Sequence, residues 1–333
     1  MKKLPLLILL VALSCSKKDN DSSAEPNIYV AGYEDNGSRL TAQYWKNGTT
    51  VLLTYVNHGI QVTDITVSES DVYVCGYELY GSKWVAKYWK NVAAIPLTNG
   101  LNDAVANDMF LSGSDVYICG FESNSITDVA KYWKNGTAIS LTNGTQAARA
   151  TGIYVSGSDV YACGYEYNGS ISVAKYWKNG TAIPLTNGTQ AARATGIYVS
   201  GNDVYVCGYE DNGLYKTTAQ YWKNGMAIAL TDGAREAYPT GIIVSGSDVY
   251  VCGYEYNGTN YVAKYWKNGT AVPLTNGTQR ASANSIYVLG NDVYVCGYES
   301  NGSKNVAKYW KNGEEQLLSD GTQNAVTTAI YVK

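Results

Sequence analysis

The chain reads as all-β: a seven-bladed β-propeller of four-stranded antiparallel blades, closed by its C-terminal strand. Three observations predict this. The phrase Gly-Tyr-Glu recurs from Gly32, Gly76, Gly120, Gly164, Gly208, Gly253 and Gly297, with Phe121 for Tyr in the third copy, giving steps of 44, 44, 44, 44, 45 and 44 residues. Tyr-Trp-Lys-Asn keeps the same beat, with Trp45, Trp89, Trp133, Trp177, Trp222, Trp266 and Trp310. A fixed period of about 20–50 residues marks a propeller, a solenoid or an array. The ends then decide between these. The first unit opens at Asn27 with a second strand and no first, and Ala329 to Lys333 is a first strand with no second. A lone sheet exposes two apolar faces, so pairing these half-units into a ring covers what an open stack leaves bare.

Within a unit, the copy from Thr151 to Gly188 shows the elements in order. Gly152 to Val155 is a β-rich run stopped by Ser156-Gly157-Ser158, and predicts strand A. Asp159 to Glu166 predicts strand B, stopped by Tyr167-Asn168-Gly169-Ser170. Val173 to Lys178 predicts strand C, and Asn179-Gly180 is a strong hairpin signal because the tight primed turn requires positive φ. Thr181 to Leu185 predicts strand D, ended by Thr186-Asn187-Gly188. Helical periodicity is absent from every such segment.

The unit resembles a Kelch repeat, whose blades carry a tyrosine-bearing second strand ending in a glycine pair and a later Tyr and Trp. Asp203 to Tyr209 stands in the place of that strand. Cys207-Gly208 replaces the glycine pair, and Trp222 directly follows Tyr221. The likeness covers about 300 residues in shape, and it implies a binding scaffold more often than an enzyme.

Upstream of the repeats, residues 1–14 read as a secretory signal: Lys2 and Lys3, then the apolar run Leu6 to Leu13. That run is well short of the ~20 residues of a spanning helix. Ala12-Leu13-Ser14-Cys15 resembles a bacterial lipobox, which implies lipidation at Cys15. Residues 15–26 carry that Cys and a polar, charged tether with no apolar face. Lys17-Lys18 followed by acidic residues is similar to signals that send Gram-negative lipoproteins to the cell surface. The expectation is an outer-membrane lipoprotein, surface displayed, attached to the membrane through its lipid alone, with the propeller over residues 27–333 and monomeric. The formal charge of −3 becomes −5 once Lys2 and Lys3 are removed, and a mildly acidic chain lacks the basic stripe that nucleic acid requires.

Repetition itself argues about roles. Cys75, Cys119, Cys163, Cys207, Cys252 and Cys296 share one repeat position that Ala31 fills in the remaining copy. Equivalent positions in neighbouring blades lie ~10 Å apart, too far for a disulfide, so these thiols are expected to be packing groups. The repeated Trp and strand Tyr residues are expected to fill the interfaces between blades. Glu78, Glu122, Glu166, Glu255 and Glu299 face Lys87, Lys131, Lys175, Lys264 and Lys308, which predicts cross-strand ion pairs. The Asp before each Val-Tyr, such as Asp115 and Asp248, is expected to fix the A–B turn. Asn-Gly-Thr triplets read as turns.

Catalytic and metal chemistry find little purchase. His58 is the only histidine, and Asp35-Asn36-Gly37 and Asp211-Asn212-Gly213 lack the downstream bidentate Glu of a calcium loop. No cofactor and no metal are expected. Two repeated acids approaching in the channel remain the one route to glycoside hydrolysis.

Copies differ most on one face. A meander puts A–B and C–D turns on one side and B–C and D–A loops on the other, and the second set varies. It places Tyr80, Trp84, Tyr167, Tyr215, Tyr256 and Tyr261, with Arg149, Arg193, Arg235 and Arg280 from D–A loops. Aromatic and Arg side chains are what recognition surfaces concentrate. The sequence therefore predicts a non-catalytic module binding a glycan or protein ligand there. Its alternatives are a docking platform in an envelope complex and a polysaccharide-acting enzyme.

Overall fold

The computed structural model describes residues 25–56, 59–213 and 216–333. Its strands form seven four-stranded antiparallel sheets. Blade 1 holds β1 (Ile28–Asp35), β2 (Leu40–Lys46) and β3 (Thr49–Val56). Blade 2 holds β4 (Ile60–Ser68), β5 (Asp71–Tyr80), β6 (Lys83–Lys90) and β7 (Ala93–Pro96). Blade 3 holds β8 (Ala104–Ser112), β9 (Asp115–Ser123), β10 (Asp128–Lys134) and β11 (Thr137–Ser140). Blade 4 holds β12 (Ala148–Ser156), β13 (Asp159–Tyr167), β14 (Ser172–Lys178) and β15 (Thr181–Pro184). Blade 5 holds β16 (Ala192–Ser200), β17 (Asp203–Asp211), β18 (Thr217–Lys223) and β19 (Met226–Ala229). Blade 6 holds β20 (Ala237–Ser245), β21 (Asp248–Tyr256), β22 (Tyr261–Lys267) and β23 (Thr270–Pro273). Blade 7 holds β24 (Ala281–Leu289), β25 (Asp292–Ser300), β26 (Asn305–Lys311) and β27 (Glu314–Leu317). The last strand, β28 (Asn324–Val332), pairs with β1 from Ile28↔Val332 to Asp35↔Asn324. The ring is closed as the two half-units predict.

Strand A begins four residues earlier than the sequence pattern suggests. In blade 4 it starts at Ala148, not Gly152, because a bulge between Ala150 and Gly152 hides the continuity. The bulge recurs at the same repeat position in every blade. An extra residue in one strand flips the side chains on either side of it to opposite faces, so alternation fails there. It also explains the glycine of Gly-Tyr-Glu. A Cβ on Gly208 would sit 2.2 Å from the Arg193 carbonyl oxygen and 2.9 Å from the Ala194 Cα. Only a glycine lets strand B pass that close to the bulged strand A.

Apolar packing lies between blades, as the repeated aromatics predict. Trp222 of blade 5 is packed with Tyr161, Cys163 and Ala174 of blade 4. The seven repeated Trp residues are all essentially inaccessible. The six cysteines are buried and unbridged, and burial pushes the Cys207 and Cys296 thiols up to about 12. The expected cross-strand pairs form: Lys131 to Glu122 and Lys175 to Glu166 at 2.6 Å, Lys264 to Glu255 at 2.5 Å, Lys308 to Glu299 at 2.9 Å, and Lys87 to Glu78. Gln220 takes the lysine's place beside Glu210 in blade 5.

The Asp before Val-Tyr has a different job from the one expected. Asp115 accepts from Asn135 Nδ2 at 2.8 Å and pairs with Lys134 at 2.9 Å, so it ties strand B to the C–D turn instead of fixing the A–B turn. That C–D turn is Asn-Gly with both residues at positive φ, such as Asn179 at 50° and Gly180 at 81°. The Asn-Gly-Thr of the D–A loops is an Asx turn: Asn143 Oδ1 accepts from the Thr145 amide at 3.0 Å and its hydroxyl at 2.8 Å.

Candidate functional site

The seven A strands line the central channel. Its waist is a ring of Thr63, Asn107, Thr151, Thr195, Thr240, Asn284 and Thr328 around a cavity of about 280 Å³. Most of these side chains reach across a blade boundary: Thr63 to the Ala106 carbonyl at 2.9 Å, Asn107 to Ala150 at 2.7 Å, and Thr240 to Ala283 at 2.8 Å. At the end carrying the A–B turns, the rings of Phe110, Tyr154 and Tyr198 meet tilted, with centroids 4.6 and 4.8 Å apart, and Tyr287 meets Tyr331 at 5.0 Å. These aromatics line a cavity of about 400 Å³ at that end.

The opposite mouth, on the B–C and D–A side, opens as a funnel. Two connected cavities of about 660 and 440 Å³ share Asn107, Thr151, Thr195 and Tyr209. Two rings build the wall. The aromatic of Gly-Tyr-Glu in blades 2 to 6 forms one of them: Tyr77, Phe121, Tyr165, Tyr209 and Tyr254. The second residue of the A strand in blades 2 to 6 forms the other, and register places it opposite that aromatic: Tyr77↔Gln61, Phe121↔Val105, Tyr165↔Arg149, Tyr209↔Arg193 and Tyr254↔Tyr238. The first ring is repeated; the second varies, reading Gln, Val, Arg, Arg and Tyr from blade 2 to blade 6. Asymmetry enters the propeller here.

Charge in the funnel is nearly balanced. Asp103 accepts from the Trp84 amide and from Lys83 Nζ, both at 3.0 Å, which holds its carboxyl below the usual range. Asp128 is gripped by Arg149, with Nη2 at 2.7 Å and Nε at 2.8 Å, while the same guanidinium lies 4.2 Å over the Phe121 ring. Arg193 lies 4.5 Å over the Tyr165 ring, half-buried, and no carboxylate pairs with it among the described residues. Burial pulls its pKa down, but Tyr209, Tyr165 and Tyr167 outweigh this and raise it, so it stays a cation. Burial also raises the Tyr77 and Tyr209 hydroxyls, and takes Tyr254 up to about 12, so these remain donors. One net positive charge faces the opening.

The sequence-predicted residues divide between this funnel and its rim. Trp84 stands in the funnel wall, edge-on to Tyr77 at 5.1 Å. Tyr167 lies beside Tyr165 at 6.2 Å and reaches Arg193. Arg149 and Arg193 are the second residues of β12 and β16 and not D–A loop residues, which corrects their expected place. The extra bulged residue conceals this, since it carries strand A further than its alternation shows. Arg235 and Arg280 do lie in D–A loops, both exposed. Arg235, Tyr256 and Tyr261 line a separate rim cavity of about 690 Å³ with Lys216 and Glu236. Its polar groups are already engaged: Arg235 Nη1 on the Asn257 carbonyl at 2.5 Å, Tyr261 Oη on Glu236 at 2.5 Å, Lys216 on Ala234 at 2.6 Å. Tyr80 is exposed at the end of β5 and lines neither cavity. Tyr215, His58 and Cys15 lie outside the described residues.

Residues missing from the sequence prediction are the Gly-Tyr-Glu aromatics, read as blade packing, and Gln61 and Tyr238. One signal could have found them. Sixteen residues before the aromatic of each Gly-Tyr-Glu from the second copy on stands one variable position, which reads Gln61, Val105, Arg149, Arg193, Tyr238 and Ser282 between repeated neighbours that are mostly Ala. The surrounding loops are pinned: Asn124 Nδ2 donates to the Gly144 carbonyl at 3.0 Å, and Asn257 to Gly277 at 3.0 Å, holding B–C loops against D–A loops. No group of three or more His, Cys, Asp or Glu able to hold a metal occurs among the described residues.

Compared by sequence, the chain matches no family model and no curated protein. Compared by fold, it is similar to the β-propeller domain of the Trilobed protease from Pyrococcus furiosus, at TM-score 0.53 and 11% identity, over 90% of this chain and 98% of that one. That domain is described as having an open velcro topology, whereas here β28 closes the first blade. It is also similar to a puromycin-hydrolyzing peptidase from Mycobacterium tuberculosis, at TM-score 0.58 and 10% identity, over 87% of this chain and 53% of the peptidase. At these identities the likeness shows the propeller fold alone.

Proposed function

We propose that the chain is a non-catalytic binding module that takes a glycan in the funnel at the B–C/D–A mouth of its channel. One observation carries this reading. An aromatic wall, supplied by the same repeat position in blades 2 to 6, is overlaid by A-strand side chains that vary around the ring, Gln61, Val105, Arg149, Arg193 and Tyr238, beneath loops held by side-chain hydrogen bonds. A ligand cavity is typically lined by aromatic groups with a few convergent polar ones, and a preformed one binds with little ordering cost. Aromatic faces suit the apolar faces of pyranose rings, while Asn107, Thr151 and Thr195 offer hydrogen bonds at the floor.

The repeats' likeness to Kelch blades agrees with a binding scaffold. Lipidation at Cys15, a polar tether and display on a Gram-negative outer membrane complete the proposal, with the propeller working as a monomer. A protein ligand is the second reading, favoured by Tyr80, Leu101 and Ile126, which are 79%, 74% and 90% exposed at the rim of blades 2 and 3. A glycan array probed with the full chain and with a Tyr209→Ala/Tyr254→Ala double variant tests the first reading. Retention that survives the double variant unchanged removes the funnel from the proposal.

A further inference from the structure

We infer that the funnel selects an anionic saccharide, a uronate-type chain whose carboxylate pairs with Arg193; this rests on the glycan reading above. Four charged side chains line the larger cavity: Asp103, Asp128, Arg149 and Arg193. Lys83 neutralises Asp103, and Arg149 neutralises Asp128. Arg193 remains, half-buried and without a carboxylate partner among the described residues. Its equivalent in blade 4, Arg149, shows what an Arg at this position does when a carboxylate is in reach: it binds it through two nitrogens while keeping its stack on an aromatic face. In blade 5 the stack on Tyr165 is kept and the carboxylate is missing. A ligand carboxylate would complete the same arrangement.

Orientation is fixed in advance. The guanidinium lies on Tyr165, with Tyr167 and Tyr209 around it, so little rotamer freedom is lost when an anion arrives. Pairing of a guanidinium with a carboxylate is planar and two-pronged, and stronger than a neutral hydrogen bond. Tyr209 continues into the second cavity, toward Tyr254, Tyr238 and Gln61. Neighbouring sugar units of one chain would lie over those faces while the uronate carboxylate stays on Arg193.

The test is calorimetric titration of the full chain with uronate tetrasaccharides (galacturonate, mannuronate and hyaluronan-type) against each one's carboxyl-reduced form. The expected result is that at least one acidic tetrasaccharide binds roughly 10–100-fold more tightly than its reduced form, and that raising salt narrows the gap. Arg193→Gln abolishes the preference, while Arg193→Lys keeps part of it; thermal melts of both variants report whether the fold survives. Reduced forms binding as well as acidic ones overturns the anion inference and leaves the glycan reading standing. Absence of any saccharide binding, or binding of an acidic peptide alone, overturns both.

Discussion

Thr151 donates its hydroxyl to the Ala194 carbonyl across the boundary between blades 4 and 5, at 2.9 Å. Its counterparts Thr63, Asn107, Thr240 and Asn284 make the same link at 2.7–2.9 Å. These side chains add polar links between blades to the apolar packing between sheets. Thr151→Val keeps the shape and removes the donor, so it should lower stability by about 1 kcal/mol. Urea unfolding followed by tryptophan fluorescence checks it, and a double Thr151→Val/Thr240→Val variant should show the two losses adding.

Gly208→Ala should be far more damaging. Its new methyl would overlap the Arg193 carbonyl, which belongs to strand A and cannot yield as a flexible side chain can. A loss on the order of 4 kcal/mol is expected, at the severe end of single substitutions. The thermal midpoint measures it.

Val92 occupies the second turn position that glycine holds in the other C–D turns, at φ 69°. A β-branched residue there is strained by about 1–2 kcal/mol. Val92→Gly should therefore raise the thermal midpoint, against the usual cost of introducing glycine. A midpoint that falls would show that the turn tolerates Val without strain.

Asp64 and Asp108 face each other in the channel on blades 2 and 3. Burial, and after it the charge of Asp108 and their hydrogen bond, raise Asp64 well above the carboxylate range, and burial raises Asp108 to about 6. Both carboxyls line the channel cavity. The amides of Met109 and Ile153 donate to them at 3.1 and 2.7 Å. For an acid whose folded pKa is raised, the folded state holds more protons between about pH 4 and the folded value, so stability falls as pH rises through that window. Stability should decline between about pH 4 and pH 6, and above it as Asp64 titrates. Asp64→Asn should flatten that decline and gain stability at pH 7. A pH series of unfolding curves on both proteins distinguishes this from a stability flat in pH.

Most of the fold was legible because repetition does the work of an alignment within one chain. Closure by β28, the buried Trp and Cys positions and the Glu–Lys pairs all follow from residues that recur at one spacing. The funnel was less legible for a specific reason. The bulge after Ala150 breaks alternation, so Ala-Arg-Ala before it reads as loop, and Arg149 and Arg193 were placed outside the strand that aims them. Tyr77 and Tyr165 were hidden by their own regularity, since a ring around a mouth repeats as faithfully as a packing group does. Trp84 stood out in sequence because its copy alone carries Trp there.

Trp84 also gives the most direct measurement of whether the funnel is the recognition site. The other seven tryptophans are inaccessible between blades, so a ligand in the funnel meets Trp84 alone among them. Titrating the full chain with the saccharide best retained on the array should change its tryptophan emission, and Trp84→Phe should abolish that change. Binding that leaves the emission of the wild-type chain untouched, or a change that persists in Trp84→Phe, would contradict recognition at this mouth.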